Sequence, residues 1–172
     1  MCESFRSHIY TQNVNTGKWK NYYIFPVIES PSYLKRIRSF IEKSLESGII
    51  LAIEDPENPE ILIAEVHTYK PGIKVFAHIF SNLTIVVRPD YQGKGIGKLL
   101  LGTLLQETIS KHSEVMRVEL LVRESNKRAI EFYKKLGFNI EGRLENRICD
   151  KTGKLEADIP MGWTFPACRQ QV

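Results

Sequence analysis

Three glycines within five residues, Gly93-Lys94-Gly95-Ile96-Gly97, stand between a β-branched run ending Ile85-Val86-Val87 and a leucine-rich segment from Ile96 to His112. A strand that passes into a helix through glycines lets the backbone approach a ligand closely and turns its N–H groups inward. The helix N-terminus adds partial positive charge. Such a loop is built to hold an anion, and Lys94 and Lys98 strengthen its field. Two common phosphate loops are excluded. Lys98 is followed by Leu99, so the GxxxxGK[ST] spacing fails. Neither Gly93-Lys94-Gly95 nor Gly95-Ile96-Gly97 has glycine three positions further on, so the dinucleotide pattern fails as well.

The 172 residues suffice for one domain. With 42% hydrophobic and 26% charged residues the composition is ordinary, which excludes disorder, collagen and coiled coil as descriptions of the whole. The longest apolar stretch, Ile49 to Ile53, is far short of the roughly 20 residues of a membrane helix, so no membrane partner is expected. Met1 to Gln12 lacks the apolar core of a secretory signal, and the chain reads as cytoplasmic. Cys2, Cys149 and Cys168 show no CxxC spacing, which fits a reducing compartment and indicates no metal site. A formal charge of +4 falls short of dedicated nucleic-acid binding.

Patterning predicts a mixed α/β fold. His8 to Val14 and Trp19 to Ile28 read as a hairpin about Asn15-Thr16-Gly17. Leu34, Ile37, Ile41 and Leu45 mark a helix from Pro31 to Ser47, with Ser30 to cap it and Gly48 to end it; its basic residues read as a solvated face. Ile49 to Glu54, Glu60 to Tyr69 and a long run from Ile73 to Val87 read as an antiparallel meander. In Val115 to Arg123, Met116, Val118, Leu120 and Val122 alternate with polar positions. The intervening helix makes this strand parallel to the 73 to 87 run. Ser125 to Leu136 is a third helix, ended by Gly137 with Phe138 packing back. A tail hairpin follows, with Phe138, Ile140, Leu144 and Ile148 on one face, a turn at Asp150 to Gly153, and a strand from Leu155 to Phe165 that Pro160 marks as an edge or a bulge. The expected architecture is a mostly antiparallel sheet with one parallel strand pair, flanked by helices, in a single domain over 1–172. Residues 1–20 form an N-terminal strand extension.

Gln92-x-x-Gly95-x-Gly97 after Leu83 to Val87, followed by Asn126-Lys127-Arg128-Ala129-Ile130-Glu131-Phe132-Tyr133-Lys134-Lys135-Leu136-Gly137-Phe138, resembles the GNAT superfamily of acyl-CoA-dependent N-acetyltransferases. The resemblance extends over roughly residues 22 to 165 and implies a parallel pair splayed at the acetyl-CoA site. It further implies that backbone amides of Gln92, Gly93, Lys94, Gly95, Ile96, Gly97 and Lys98 bind the coenzyme A pyrophosphate. Ile85, Val86 and Val87 would pair with pantetheine amides, and Asn126 would cap its helix and reach the cofactor. Tyr133 would protonate the departing thiolate, a task that suits a phenol of pKa about 10. Its position on the stripe Ala129, Phe132, Leu136 leaves a core tyrosine as the alternative.

Many family members carry a glutamate base where this chain has Asn82, which cannot serve. Asn82 would instead orient a water or the amine. The proton would pass to His78, four residues earlier on the same strand face, to Glu119 on the neighbouring strand, or to His67 near the end of the preceding strand.

The function implied is transfer of acetyl from acetyl-CoA to a primary amine of a small molecule, amino acid or protein N-terminus, by direct attack in a ternary complex without metal. A backbone N–H near Val87 would stabilise the oxyanion. Gly142-Arg143-Leu144 and Met161-Gly162-Trp163 resemble members acting on such acceptors, whose contacts would come from the 30 to 48 helix, the final hairpin loop and Tyr69. Two alternatives stand beside it: a coenzyme A sensor whose catalysis has decayed, and an RNA- or ribosome-binding protein. Monomer and homodimer are both open, the latter through an edge near Pro160 or the N-terminal hairpin.

Overall fold

The computed structural model describes residues 8–13, 19–23, 31–58, 61–150 and 152–165. Cys2, Cys168, the Ser30 cap, the Asn15-Thr16-Gly17 turn and the strand residues expected at 24–28 lie outside them. The chain divides into two compact units, Met1–Tyr69 with Thr84–Thr108, and Lys70–Leu83 with Ile109–Val172.

In the first unit, β1 (His8–Asn13) and β2 (Trp19–Tyr23) pair antiparallel, as expected, from His8 opposite Tyr23 to Gln12 opposite Trp19. Helix α1 (Pro31–Ser47) then returns the chain, so that β3 (Gly48–Glu54) runs parallel to β1, with Gln12 beside Leu51 and Asn13 beside Ala52. This parallel pair adds to the one expected, and its helical crossover is the connection that parallel strands require. β3 pairs antiparallel with β4 (Leu62–Tyr69), from Gly48 opposite Tyr69 to Glu54 opposite Leu62. Ile49, Ile50, Leu51 and Ala52 are all buried, which explains why β3 is an unbroken apolar run rather than an alternating one.

Gly48 does more than end α1. It is the first residue of β3, and a β-carbon there would lie 1.9 Å from the Thr68 carbonyl oxygen. The stripe on α1 is also turned from its expected position. Leu45 is 37% exposed, whereas Ser44 is buried and satisfies its hydroxyl on the Phe40 carbonyl at 2.8 Å.

The second unit opens with a single 3₁₀ turn at Lys74–Phe76, where an extended run from Ile73 is expected. Ile73, Val75 and Phe76 are exposed, and the amides of Phe76 and Ala77 bond locally to Ile73 and Lys74. β5 (Ile79–Val87) therefore starts six residues later than the run from Ile73, and gives its last four residues to the first unit. Helix α2 (Ile96–Lys111) lies mostly in the first unit, where Leu100, Leu101, Leu104 and Leu105 are buried. β5 lies parallel to β6 (Arg117–Arg123) through Ile79 with Arg117 and Phe80 with Val118, the parallel pair that the sequence predicts.

Helix α3 (Lys127–Lys135) starts on Asn126, whose side chain accepts the Ala129 N–H at 3.2 Å. It stops at Gly137, whose φ of 91° permits the left-handed cap, with amides of Gly137 and Phe138 returned to Lys134 and Tyr133. β7 (Asn139–Ile140), β8 (Leu144–Cys149) and β9 (Leu155–Thr164) complete the unit.

Pro160 does not mark an edge. β9 is bordered by β6 through seven pairs on one side and by β7 and β8 on the other. In an antiparallel strand a residue's N–H and C=O point the same way. Pro160 accepts the Glu141 N–H, so its missing N–H faces the same side, at the end of β7, and the pair keeps only one of its two ladder bonds. Pairing of two chains along β9 near Pro160 is thereby excluded. The break between β7 and β8 is tied by side chains: Arg117 grips Glu141 and also meets Glu119 at 3.0 Å, while Arg143 forms two bonds to Glu124. Ile140, Leu144 and Leu155 are exposed, so only part of the expected tail face enters the core, through Phe138, Ala157, Ile159 and Met161.

Candidate active site

The glycine loop is built in the first unit. A 3₁₀ turn at Pro89–Tyr91 follows β5, and the Gln92 N–H closes it on the Pro89 carbonyl at 3.2 Å. Gly93 and Gly95 take φ of 79° and 83°, with open space where β-carbons would be. The Leu99 N–H makes the first helical bond, to the Gly95 carbonyl at 3.0 Å. Among the described residues the amides of Ile96, Gly97 and Lys98 thus precede any intrahelical acceptor and can meet an anion. A groove of about 560 Å³ runs from Gly95 and Lys98 past Leu99, Gly102, Thr103 and Gln106. This arrangement fits a diphosphate: positions 93 and 95 offer unblocked backbone, and the helix terminus offers donors.

What holds the loop comes from elsewhere in the chain. Asp55 accepts from Arg88 at 3.3 Å and from the Tyr91 hydroxyl at 3.2 Å, while Arg88 also reaches Asp90 at 2.7 Å. The Glu57 amide on Asp55, more than the Arg88 charge, holds this carboxyl below its ordinary range. Arg88 and Lys94 both lie over the Tyr91 ring, at 5.3 and 4.8 Å from its centroid. The Gln92 side chain donates to the Val87 carbonyl at 3.0 Å, joining loop to strand. Sequence reading misses Asp55 and Tyr91, because partners 33 and 36 residues apart leave no local periodicity. Ile85 and Val87 are half-buried and Val86 is 58% exposed, which leaves that stretch of β5 open along one face.

In the second unit Tyr133 is buried on α3, with Phe132 and Phe138 ring centroids 5.4 and 5.7 Å away. Burial pushes its hydroxyl up to about 12, so it keeps its proton throughout the neutral range. Asn126 is exposed at the same helix's start.

The expected bases are dispersed. His78 lies in the exposed turn before β5, not on its face, and its carbonyl accepts the Met116 N–H. Counting by twos from Asn82 fails there because β5 starts at Ile79 and because Asn82 itself has φ of 56°. Asparagine tolerates that left-handed geometry, and its amide donates to the Ser81 hydroxyl at 3.0 Å. Glu119, half-buried on β6, accepts from Arg117 and sits in the cluster that includes Glu141. His67, on β4 in the first unit, is 5% exposed and holds Glu65 at 2.7 Å through Nδ1.

A family model described as "Acetyltransferase (GNAT) family" matches residues 19–138. A 54-residue segment is 44% identical to an uncharacterized N-acetyltransferase of Methanocaldococcus jannaschii, covering 31% of this chain and 23% of that protein. A 67-residue segment is 31% identical to spermidine N(1)-acetyltransferase of Escherichia coli, covering 39% and 36%. The [ribosomal protein bS18]-alanine N-acetyltransferase of Haemophilus influenzae is 47% identical over 55 residues, covering 32% and 36%. The matches therefore span between about a quarter and a third of these relatives' lengths.

Among solved structures, the E. coli ribosomal-protein-S18-alanine N-acetyltransferase aligns with a TM-score of 0.63 at 26% identity, over 78% of this chain and 80% of that one. A GNAT-family acetyltransferase of Streptococcus pneumoniae aligns at 0.58 with 28% identity, over 62% of each chain. The family match takes in the glycine loop and α3 and ends at Phe138, where the tyrosine-bearing helix is capped. With more than half of its length inside that match, the chain belongs to the GNAT acetyltransferase family.

Proposed function

We propose that the protein transfers an acetyl group from acetyl-CoA directly to a primary amine in a ternary complex in the cytoplasm. The observation that carries this reading is the glycine loop, whose positive-φ glycines open onto the N-terminal amides of α2 within the family's matched span. The cosubstrate supplies an activated thioester and a diphosphate handle. In this reading Gly93 to Lys98 bind the diphosphate, and Ile85 to Val87 offer strand edges to the pantetheine amides. A backbone N–H near Val87 steadies the oxyanion. Asn126 caps α3 and reaches the cosubstrate. Tyr133, kept protonated by burial, gives its proton to the departing thiolate. Relatives are named for N-acetylation of spermidine and of a ribosomal-protein alanine, both amine acceptors, which supports that acceptor class.

The test is thiol release from acetyl-CoA with a panel of polyamines, amino acids and N-terminal peptides, beside calorimetric binding of coenzyme A. Turnover with at least one amine supports the transferase. The unusual Asn82 favours a second reading, a binding module without catalysis. Tight coenzyme A binding with no turnover on any acceptor would establish that one, and absence of binding would overturn both.

A further inference from the structure

His67 is buried under α1, its ring stacked on Phe40 at 6.3 Å and 26°, and Phe40 stacks in turn on Tyr69 at 6.2 Å. Its Nδ1 lies 2.7 Å from Glu65 Oε1, and both side chains are largely covered, at 7% and 13% exposed. A carboxylate can only accept here, so Nδ1 carries the proton and Nε2 presents its lone pair. Among the described residues, Nε2 has no hydrogen-bond partner. A buried imidazole with one nitrogen fixed by a carboxylate and the other unengaged is arranged to take a proton, and burial without that use costs stability.

Its surroundings tell what would come to it. β4 neighbours β5, and the Arg88 N–H bonds to the Ile63 carbonyl at 2.8 Å. Counted from that bond, antiparallel pairing sets Val86 beside Glu65 and Thr84 beside His67. Thr84 and Val86 are exposed, and no charged residue lies on β5. On β3 the residues opposite Glu65 and His67 are Ala52 and Ile50, and α1 brings Lys43, whose ammonium sits over the Tyr69 ring at 5.6 Å. The dyad thus borders the open strip of β5 at Thr84 and Val86, overlapping the start of Ile85 to Val87. By contrast His78 is off the strand and Glu119 is engaged by Arg117.

We propose that His67 is the general base, with Glu65 as its positioning residue, an assignment that rests on the transferase reading above. Nε2 takes one proton from the bound ammonium and later releases it to solvent. The freed nitrogen lone pair forms the C–N bond at the thioester carbonyl. When the C–S bond breaks, sulfur keeps the electron pair and takes the Tyr133 proton. The second proton leaving the amine nitrogen is released to solvent, from which Tyr133 is reprotonated.

The test is the pH dependence of kcat/KM with spermidine and with an alanine-terminated peptide, for the wild type, His67→Gln and Glu65→Gln, alongside calorimetric coenzyme A binding and thermal melting. His67→Gln is expected to lose about 100-fold in kcat/KM at neutral pH with coenzyme A affinity kept within about twofold. Its profile should lose the wild-type acid-limb inflection and climb with the free-amine fraction. Glu65→Gln keeps the imidazole but no longer fixes its orientation, and is expected to lower kcat about tenfold with KM and coenzyme A affinity kept. A His67→Gln profile that superimposes on wild type overturns the assignment and leaves the transferase standing. If His67→Gln does not fold, an unchanged kcat in Glu65→Gln overturns it equally. A wild type that releases no thiol with any amine overturns the transferase reading and this assignment together.

Discussion

The Phe138 N–H donates to the Tyr133 carbonyl at 3.1 Å, and the two rings stand 5.7 Å apart. The bond that closes α3 is thus made by the same two residues whose rings pack together. Tyr133 is held twice, by backbone at the helix end and by side chain in the core, so its hydroxyl is placed by the most constrained turn of α3.

Removing that hydroxyl isolates its chemistry. Tyr133→Phe keeps the ring, its contacts and the helix cap, and is expected to lower thiol release about 100-fold while coenzyme A binding changes by less than about twofold. A thiol-trapping assay beside calorimetry checks this. Equal losses in both would mean that Tyr133 serves binding or packing instead.

The same hydroxyl makes stability fall at alkaline pH. Unfolded, Tyr133 ionises near pH ~10, and folded, at about 12. The raised value means that the unfolded chain sheds this proton first, so the contribution is whole below pH ~10 and is lost as pH rises through about 12. Denaturant titrations at about pH 9 and about pH 11.5 should show the wild type losing on the order of 2 kcal/mol more than Tyr133→Phe. Parallel losses in the two proteins would contradict the assignment of the raised value to this burial.

Gly95→Ala tests the anion loop. The new methyl meets open space, but φ of 83° costs an L-residue roughly 1 kcal/mol and shifts the amides that follow. Affinity for acetyl-CoA is expected to fall about tenfold. Turnover of S-acetylpantetheine, which has no diphosphate, should be little changed. Equal effects on both donors would place the diphosphate elsewhere.

Gly48→Ala tests the β3–β4 seam. The added carbon would sit 1.9 Å from the Thr68 oxygen and 2.6 Å from the Tyr69 Cα, both backbone atoms with little room to move. A loss of about 3 kcal/mol is expected, or roughly 10 °C in thermal midpoint. An unchanged midpoint would mean that the strands part there at no cost.

Local chemistry was legible in the sequence, and relations across the sheet were not. The glycine loop, the Asn126 cap and the Gly137 stop each follow from a few consecutive residues with one physical task. The rotation of α1 depends on what lies beneath it, and so Ser44 rather than Leu45 points inward. Alternation predicts the faces of β6 well because nothing interrupts it, but fails at Asn82, where a single left-handed residue resets the count in β5. Pro160 marks a missing donor, while its place inside the sheet depends on where the neighbouring strands break. The candidate loop was therefore found from sequence, but its Asp55 anchor was not. The burial of His67 and its contact with Glu65 are likewise relations of the folded chain that its sequence neighbours do not reveal.

The Arg117–Glu141 pair crosses β9 at Gly162, where a β-carbon would come within 2.5 Å of the Glu141 carboxylate and 2.7 Å of the Arg117 guanidinium. Two strands that are not neighbours in the sheet are thereby joined directly, over the top of the one between them. A disturbance at the start of β6 can reach the 141–143 connection without passing through the backbone of β9. The absence of one side chain is what leaves that route open.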